Sequence, residues 1–94
     1  LVGISRDDEE ADKEYIVRKI LNLRLFDSPE GKRWDKSVKD LDLEVLCVSQ
    51  FTLYGYPKGN KIDFHVAMDP AKAEPFYNDM LDRLRKAHKT DKIQ

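Results

Sequence analysis

Between Asp7 and Leu23 the apolar residues Ala11, Tyr15, Ile16, Ile20 and Leu23 recur at spacings of three and four, with Lys13, Glu14, Arg18 and Lys19 between them. That period predicts an amphipathic helix with the lysines and Arg18 on its wet side. Asp7-x-x-Glu10 has the form of a capping box at its start. Leu25-Phe26 and Arg33-Trp34 flank Asp27-Ser28-Pro29-Glu30-Gly31-Lys32, where proline and glycine suit a turn, so a short hairpin is expected there. Leu43 to Leu53 carries the strongest strand signal. Its run Val45-Leu46-Cys47-Val48 predicts a central strand covered on both faces. Alternation puts Leu43, Val45, Cys47, Ser49 and Phe51 on one side and Leu46, Val48, Gln50 and Thr52 on the other.

Tyr54 to Lys61 holds two glycines and a proline and reads as a loop, with Ile62 to Met68 returning as an extended segment. Asp69-Pro70 suits an N-cap followed by the first helical position. Ala73, Tyr77, Met80, Leu81, Leu84 and Ala87 then form a helical stripe as far as His88. Pro75 predicts either a helix start nearer Ala73 or a kink. The tail Lys89 to Gln94 carries no packing signal, and Leu1 to Ser5 reads as the end of a strand.

Length changes the picture first: 94 residues make one small domain, 1–94. Charge comes next. Seventeen Lys and Arg against eighteen Asp and Glu leave a net charge of -1, so no global positive field draws this chain onto nucleic acid or anionic lipid, and any such contact is local. The single cysteine excludes an internal disulfide, and no apolar run approaches the roughly 20 residues of a membrane span. A reduced, cytoplasmic protein without a signal peptide is expected.

The chemistry-bearing residues concentrate at the end of the predicted strand. Ser49, Gln50 and Thr52 put three hydrogen-bonding side chains after an apolar run, where α/β proteins commonly place a site, although Ser49 and Thr52 could equally satisfy local backbone groups. His65 and His88 have no triad spacing, so covalent catalysis is unsupported. His65 reads as a packed or surface histidine, and His88 as a dipole-compensating one. No Cys or His pair has metal spacing, Cys47 reads as a small buried hydrophobe, and no metal or other cofactor is expected. Arg83, Arg85, Lys86, Lys89 and Lys92 are interspersed with acids and read first as a solvated face. Tyr54, Tyr56 and Phe64 beside Lys58 and Lys61 could stack on unpaired bases while screening phosphates.

Taken in order, Arg18-Lys19-Ile20-Leu21-Asn22-Leu23-Arg24-Leu25-Phe26, Glu44-Val45-Leu46-Cys47-Val48-Ser49-Gln50-Phe51-Thr52-Leu53 and Lys58-Gly59-Asn60-Lys61 closely resemble the D-aminoacyl-tRNA deacylases. The segment Asp63-Phe64-His65-Val66-Ala67-Met68 is similar to the family's eukaryotic branch. The resemblance implies hydrolysis of the ester between a D-amino acid, or mischarged glycine, and the terminal ribose of tRNA. It implies an α/β fold with a barrel-like mixed sheet and flanking amphipathic helices, here incomplete at both ends. It also implies a cytoplasmic homodimer with active sites at the subunit interface.

On this resemblance Ser49, Gln50 and Thr52 are the catalytic candidates, and Phe51, Ala67 and Met68 line the amino-acid pocket. Lys58, Asn60 and Lys61 are the candidate tRNA contacts. An ester needs little beyond a positioned water and oxyanion donors, for which backbone amides around Phe51 and Thr52 and the Gln50 amide suffice. Nothing in the sequence activates the Thr52 hydroxyl as a nucleophile, which favours a positioning role, and the tRNA 2′-hydroxyl is available to assist the attack. The family's Asn-x-Gly-Pro-Val-Thr signature and its opening strand do not occur in these residues, so the resemblance covers the middle of a family chain. Chiral rejection and dimerisation are expected to depend on those other segments. A non-catalytic nucleic-acid-binding or interaction module is the alternative reading.

Overall fold

The computed structural model describes residues 1–94 and shows a mixed α/β fold of two helices packed on a few short extended segments. Helix α1 spans Glu10–Asn22. Its capping box is Glu9 and Asp12 rather than Asp7 and Glu10, because Asp7 and Asp8 are held in the preceding turn. There the Asp8 carboxylate accepts from the Ser5 amide at 2.8 Å and the Ser5 hydroxyl from the Asp7 amide at 3.2 Å.

The buried face of α1 also departs from the expected stripe. Lys13, Val17 and Leu21 are buried, whereas Ala11, Tyr15, Ile16 and Leu23 are exposed. Lys13 can lie inside because its ammonium is 2.8 Å from Asp79 and 2.9 Å from Glu10, and because it rests 4.2 Å from the centre of the Phe76 ring. A buried charge with two carboxylate partners and an aromatic face is compensated, so an uncharged stripe does not automatically win the interior.

Helix α2 spans Pro70–Ala87, capped by the Asp69 carboxylate, which accepts from the Ala71 amide at 3.1 Å. The helix begins at Pro70 and runs on through Pro75, so the expected start near Ala73 is not adopted. Met80 and Leu84 are its buried residues, and its last turn is tied to the strand segment where His88 Nε2 donates to the Leu43 carbonyl at 2.9 Å.

The expected central strand is extended and paired on both edges. Val2 and Gln50 bond across to Val48 and Val2 carbonyls, and Val45 and Cys47 donate to the carbonyls of Lys92 and Gln94. Both pairings are parallel, and residues 4–6 in turn pair antiparallel with 66–68. The tail is therefore structural. Ile93 is buried in the core with Val17, Leu21, Val38, Met80 and Leu84, a long-range pairing that no local pattern in Lys89 to Gln94 announces.

Two further expectations change. The strand ends at Gln50, since Phe51–Tyr54 is a turn of 3₁₀ helix, and only its Leu43, Val45 and Cys47 side packs on the core. Leu46 on the other side is 73% exposed. In the first hairpin Phe26 pairs with Lys36, not with Arg33 or Trp34. Tyr56–Lys58 (β1) and Lys61–Asp63 (β2) form a second hairpin across the expected loop and the first residues of the expected extended segment Ile62 to Met68. That segment is then broken by a turn at His65 and Val66, where the Ala67 amide donates to the Phe64 carbonyl at 3.0 Å. Pro57 is tolerated in this hairpin because it faces Ile62 at the position next to the turn pair Lys58 and Lys61, where an antiparallel ladder requires no amide donor. Gly59 supplies the positive φ of 65° that opens the two-residue turn.

Candidate active site

The end of the central strand, the 3₁₀ turn, the segment after β2 and the first turns of α2 surround a pocket of about 500 Å³. Ser49, Phe51, Ala67 and Met68 line it, so four of the residues singled out from the sequence meet on one surface. They meet because residues 4–6 bond to 66–68 on one side, with Met68 donating to the Ile4 carbonyl at 2.9 Å, while Val2 pairs with Ser49 on the other.

Gln50 and Thr52 are not among the lining residues. They stand beside it in the chain, joined by a hydrogen bond from Gln50 Nε2 to Thr52 Oγ1. The two were expected to share a strand face. In the structure the 3₁₀ turn, not strand alternation, brings them together. Phe51 and Thr52 open that turn, so their amides have no partner within it and remain available as donors. Lys58, Asn60 and Lys61 are exposed at the tip of the β1–β2 hairpin and take no part in the pocket wall.

The pocket also uses Phe64, which the sequence offered as a base-stacking aromatic, and two residues that the sequence pattern did not mark as functional, Glu74 and Tyr77. Phe64 meets Phe51 edge-on, with ring centroids 5.3 Å apart. Glu74 and Tyr77 come from α2, three residues apart and so on one helix face. Burial, and secondarily the nearby Cys47 thiol, raises the Tyr77 phenol above its ordinary pKa, so it stays a neutral hydrogen-bonding group. Burial likewise raises the Cys47 thiol. The only available signal for Tyr77 was its place in the apolar stripe of α2, which reads as core packing.

Beside the pocket, His65 Nδ1 lies 2.6 Å from both the Tyr56 hydroxyl and an Asp63 carboxylate oxygen, and the His65 amide donates to that same oxygen at 2.7 Å. These bonds, the backbone one first, hold the Asp63 carboxyl below its ordinary value. Burial and the Asp63 charge push the Tyr56 phenol up. His65 is about half exposed, as a surface histidine would be. No three His, Cys, Asp or Glu side chains converge in a way that could hold a metal ion, and no helix is long and apolar enough to cross a membrane.

Chemically, the pocket offers three aromatic rings, an aliphatic floor, hydroxyls from Ser49 and Tyr77, and a carboxylate from Glu74 that has no hydrogen-bond partner, beside the Asp69 carboxylate that caps α2. Such a wall suits an apolar or aromatic group or a stacked base. The chain is 60% identical over 94 residues to the D-aminoacyl-tRNA deacylase of Drosophila melanogaster, of which it spans 59%. It is 54% identical to D-aminoacyl-tRNA deacylase 1 of Danio rerio, of which it spans 45%. It therefore covers about half the length of these curated relatives. A solved structure named c-Myc DNA Unwinding Element Binding Protein superposes on 99% of this chain and 62% of its own, with a TM-score of 0.94 and 53% identity. A family model described as D-Tyr-tRNA(Tyr) deacylase matches residues 1–94 from end to end, and with these relatives it shows that the chain belongs to the D-Tyr-tRNA(Tyr) deacylase family.

Proposed function

We propose that this chain carries the substrate pocket of a D-aminoacyl-tRNA deacylase, which hydrolyses the ester joining a D-amino acid, or mischarged glycine, to the terminal ribose of tRNA. The observation that carries the reading is the convergence of Ser49, Phe51, Ala67 and Met68 on one pocket beside the bonded pair Gln50 and Thr52. Water attacks the ester carbonyl, a new C–O bond forms, and the bond to the ribose oxygen breaks as that oxygen takes a proton. The oxyanion that develops is met by the Phe51 and Thr52 amides and the Gln50 side-chain amide, donors that need no histidine base. Thr52 holds Gln50 in place, and the ribose 2′-hydroxyl assists the attacking water. Lys58, Asn60 and Lys61 supply local contacts to the tRNA backbone, consistent with a chain whose net charge is only -1.

The exposed Leu46 side of the central strand and the half-length match support a larger assembly. In it, further strands complete a barrel-like sheet, a second copy closes the site as a cytoplasmic homodimer, and a Gly-Pro segment rejects L-amino acids. The test is a deacylation time course with D-Tyr-tRNA and L-Tyr-tRNA side by side, on protein whose intact mass matches 11.0 kDa. Faster loss of the D-ester than in buffer supports the reading. Loss of both esters at the buffer rate overturns it for this chain and leaves a binding role.

A further inference from the structure

We propose that the first hairpin, between α1 and the central strand, is a contact surface for unpaired RNA, on which Trp34 stacks a base while the lysines and arginines around it meet phosphates. Trp34 is 70% exposed and holds a φ of 54°, in the left-handed half of the backbone map. Glycine and asparagine settle there readily, and a bulky aromatic does not. The chain's other non-glycine residue of this kind, Asp42, is of a type that tolerates it. An indole that lies open to water on an unfavourable backbone adds little to the fold, and a ring held in that way points to a ligand.

The neighbouring backbone fixes this presentation. On one side the Ser28 amide donates to the Lys32 carbonyl at 2.8 Å and the Lys32 amide to the Ser28 hydroxyl at 3.1 Å. On the other, the Asp35 and Lys36 amides both donate to the Phe26 carbonyl, at 3.0 and 2.8 Å, which is the pattern of a bulge. Arg33 and Trp34 stand between these fastenings, and neither amide is hydrogen-bonded. The charges around them are unbalanced. Residues 18–40 hold seven Lys and Arg against four Asp and Glu, a local positive excess on a chain whose net charge is -1. The Lys39 amide donates to the Leu21 carbonyl, which ties the hairpin to the last turn of α1. Asp35 is shared by Lys32 at 3.4 Å and Lys36 at 3.9 Å, Asp40 is turned to the Ser37 amide at 3.0 Å, and Asp27 and Glu30 are exposed. Arg24, Arg33 and Lys39 form no ion pair.

A partner for this surface combines flat rings with negative charge. The core of a protein–protein contact is depleted in charged residues, lysine among them, whereas nucleic-acid interfaces are strongly positive. A duplex hides the faces of its bases, and an unpaired segment offers them for stacking on an aromatic ring. The surface shares no residue with the pocket wall or with the β1–β2 hairpin, so it is a separate point of contact. That the RNA is the substrate tRNA rests on the deacylase reading above, and the stacking surface itself does not.

Trp34 is the only tryptophan in the chain, so tryptophan emission reports this site alone. The full chain is titrated with uncharged tRNA, a single-stranded RNA oligonucleotide, the same oligonucleotide as a duplex, and polyglutamate. Quenching by tRNA and the single strand, with little by the duplex or polyglutamate, is the expected result. By gel shift of labelled tRNA, Trp34→Ala should weaken binding about tenfold, Trp34→Phe should restore most of it, and Arg33→Ala should lower the salt slope by about one. Trp34→Asn removes the ring and suits the backbone, so it should bind as weakly as Trp34→Ala while unfolding at the same or a higher temperature. A lower unfolding temperature makes Trp34 a structural residue and overturns the proposal. Absence of quenching by both RNAs, or equal quenching by the duplex or polyglutamate, overturns it too. So does an emission change that follows protein concentration without RNA, which would place a second copy on the indole. If tRNA quenches the emission and wild type cleaves no D-Tyr-tRNA, the deacylase reading fails and the surface stands.

Discussion

Gly55 lies directly beneath the Phe64 ring: a Cβ at residue 55 would stand 2.7 Å from Phe64 Cε1 and 2.9 Å from the Ile62 side chain. The glycine is required by proximity and not by backbone angle, since its φ is an ordinary −70°. The flat wall that Phe64 presents to the pocket depends on this missing methyl.

Gly55→Ala should therefore push Phe64 off its contact with Phe51 and destabilise the chain by about 1–3 kcal/mol, the usual cost of forcing an extra carbon into filled space. Urea unfolding measures the loss, and the aromatic NOE between residues 51 and 64 reports the displacement. Unchanged values in both would mean that the ring relaxes freely and that the wall is softer than its packing implies.

Gln50 and Thr52 separate donor from support. Gln50→Ala removes a candidate oxyanion donor and should lower kcat about a hundredfold, whereas Thr52→Ala removes only its hydrogen-bonded prop and should cost about tenfold. Single-turnover deacylation of D-Tyr-tRNA gives both values. An acyl-enzyme of Thr52 trapped by intact-mass measurement would reverse these roles and make the hydroxyl a nucleophile.

The pairing of the two helices titrates in acid. Hydrogen bonds from Lys13 first, then Arg83, hold the Asp79 carboxyl below its ordinary 3.8, and a bond from Lys13 does the same for Glu10. A folded-state value below the unfolded one means that this contribution is fully present above the unfolded pKa and is lost as pH falls through the folded one. Stability should be flat from neutral pH down to about pH 5 and fall steeply below about pH 4, and Lys13→Met should flatten the fall. Urea midpoints measured between pH 7 and pH 2.5 would show it, and an equally steep fall in Lys13→Met would assign the acid sensitivity to other carboxylates.

Ile93→Ala should cost about 2–5 kcal/mol, because the residue is 5% exposed within the core and adjoins the pairing of Val45 with the tail. Thermal unfolding reads this directly. A change below about 0.5 kcal/mol, typical of surface positions, would show that the tail is dispensable.

Much of this architecture is local and was legible in the chain. The period of three and four from Asp7 to Leu23 and again from Ala73 to Ala87 produces two helices. Asp69-Pro70 marks the start of the second to the residue, since capping and a preset φ act within one turn. Alternation from Leu43 to Cys47 correctly divides the packed from the unpacked side. The candidate site was legible to the extent that Ser49, Phe51, Ala67 and Met68 carry a family resemblance. Phe64 was read as a base-stacking aromatic and not as pocket wall. The contributions of Glu74 and Tyr77 were not legible, because a charged residue on a helix reads as solvated and an aromatic in an apolar stripe reads the same whether it faces a core or a pocket.

The sequence alone determined that there are two amphipathic helices, a single apolar extended run between them and a polar cluster at the end of that run, because each follows from interactions within a few residues. Only the tertiary structure decided which face of α1 is buried, since Lys13 goes inside when Asp79, 66 residues away, is there to meet it. It likewise decided that the tail enters the core and that the first turns of α2 complete the pocket. Those outcomes rest on contacts between distant residues, whose free energy appears only once the chain has brought them together.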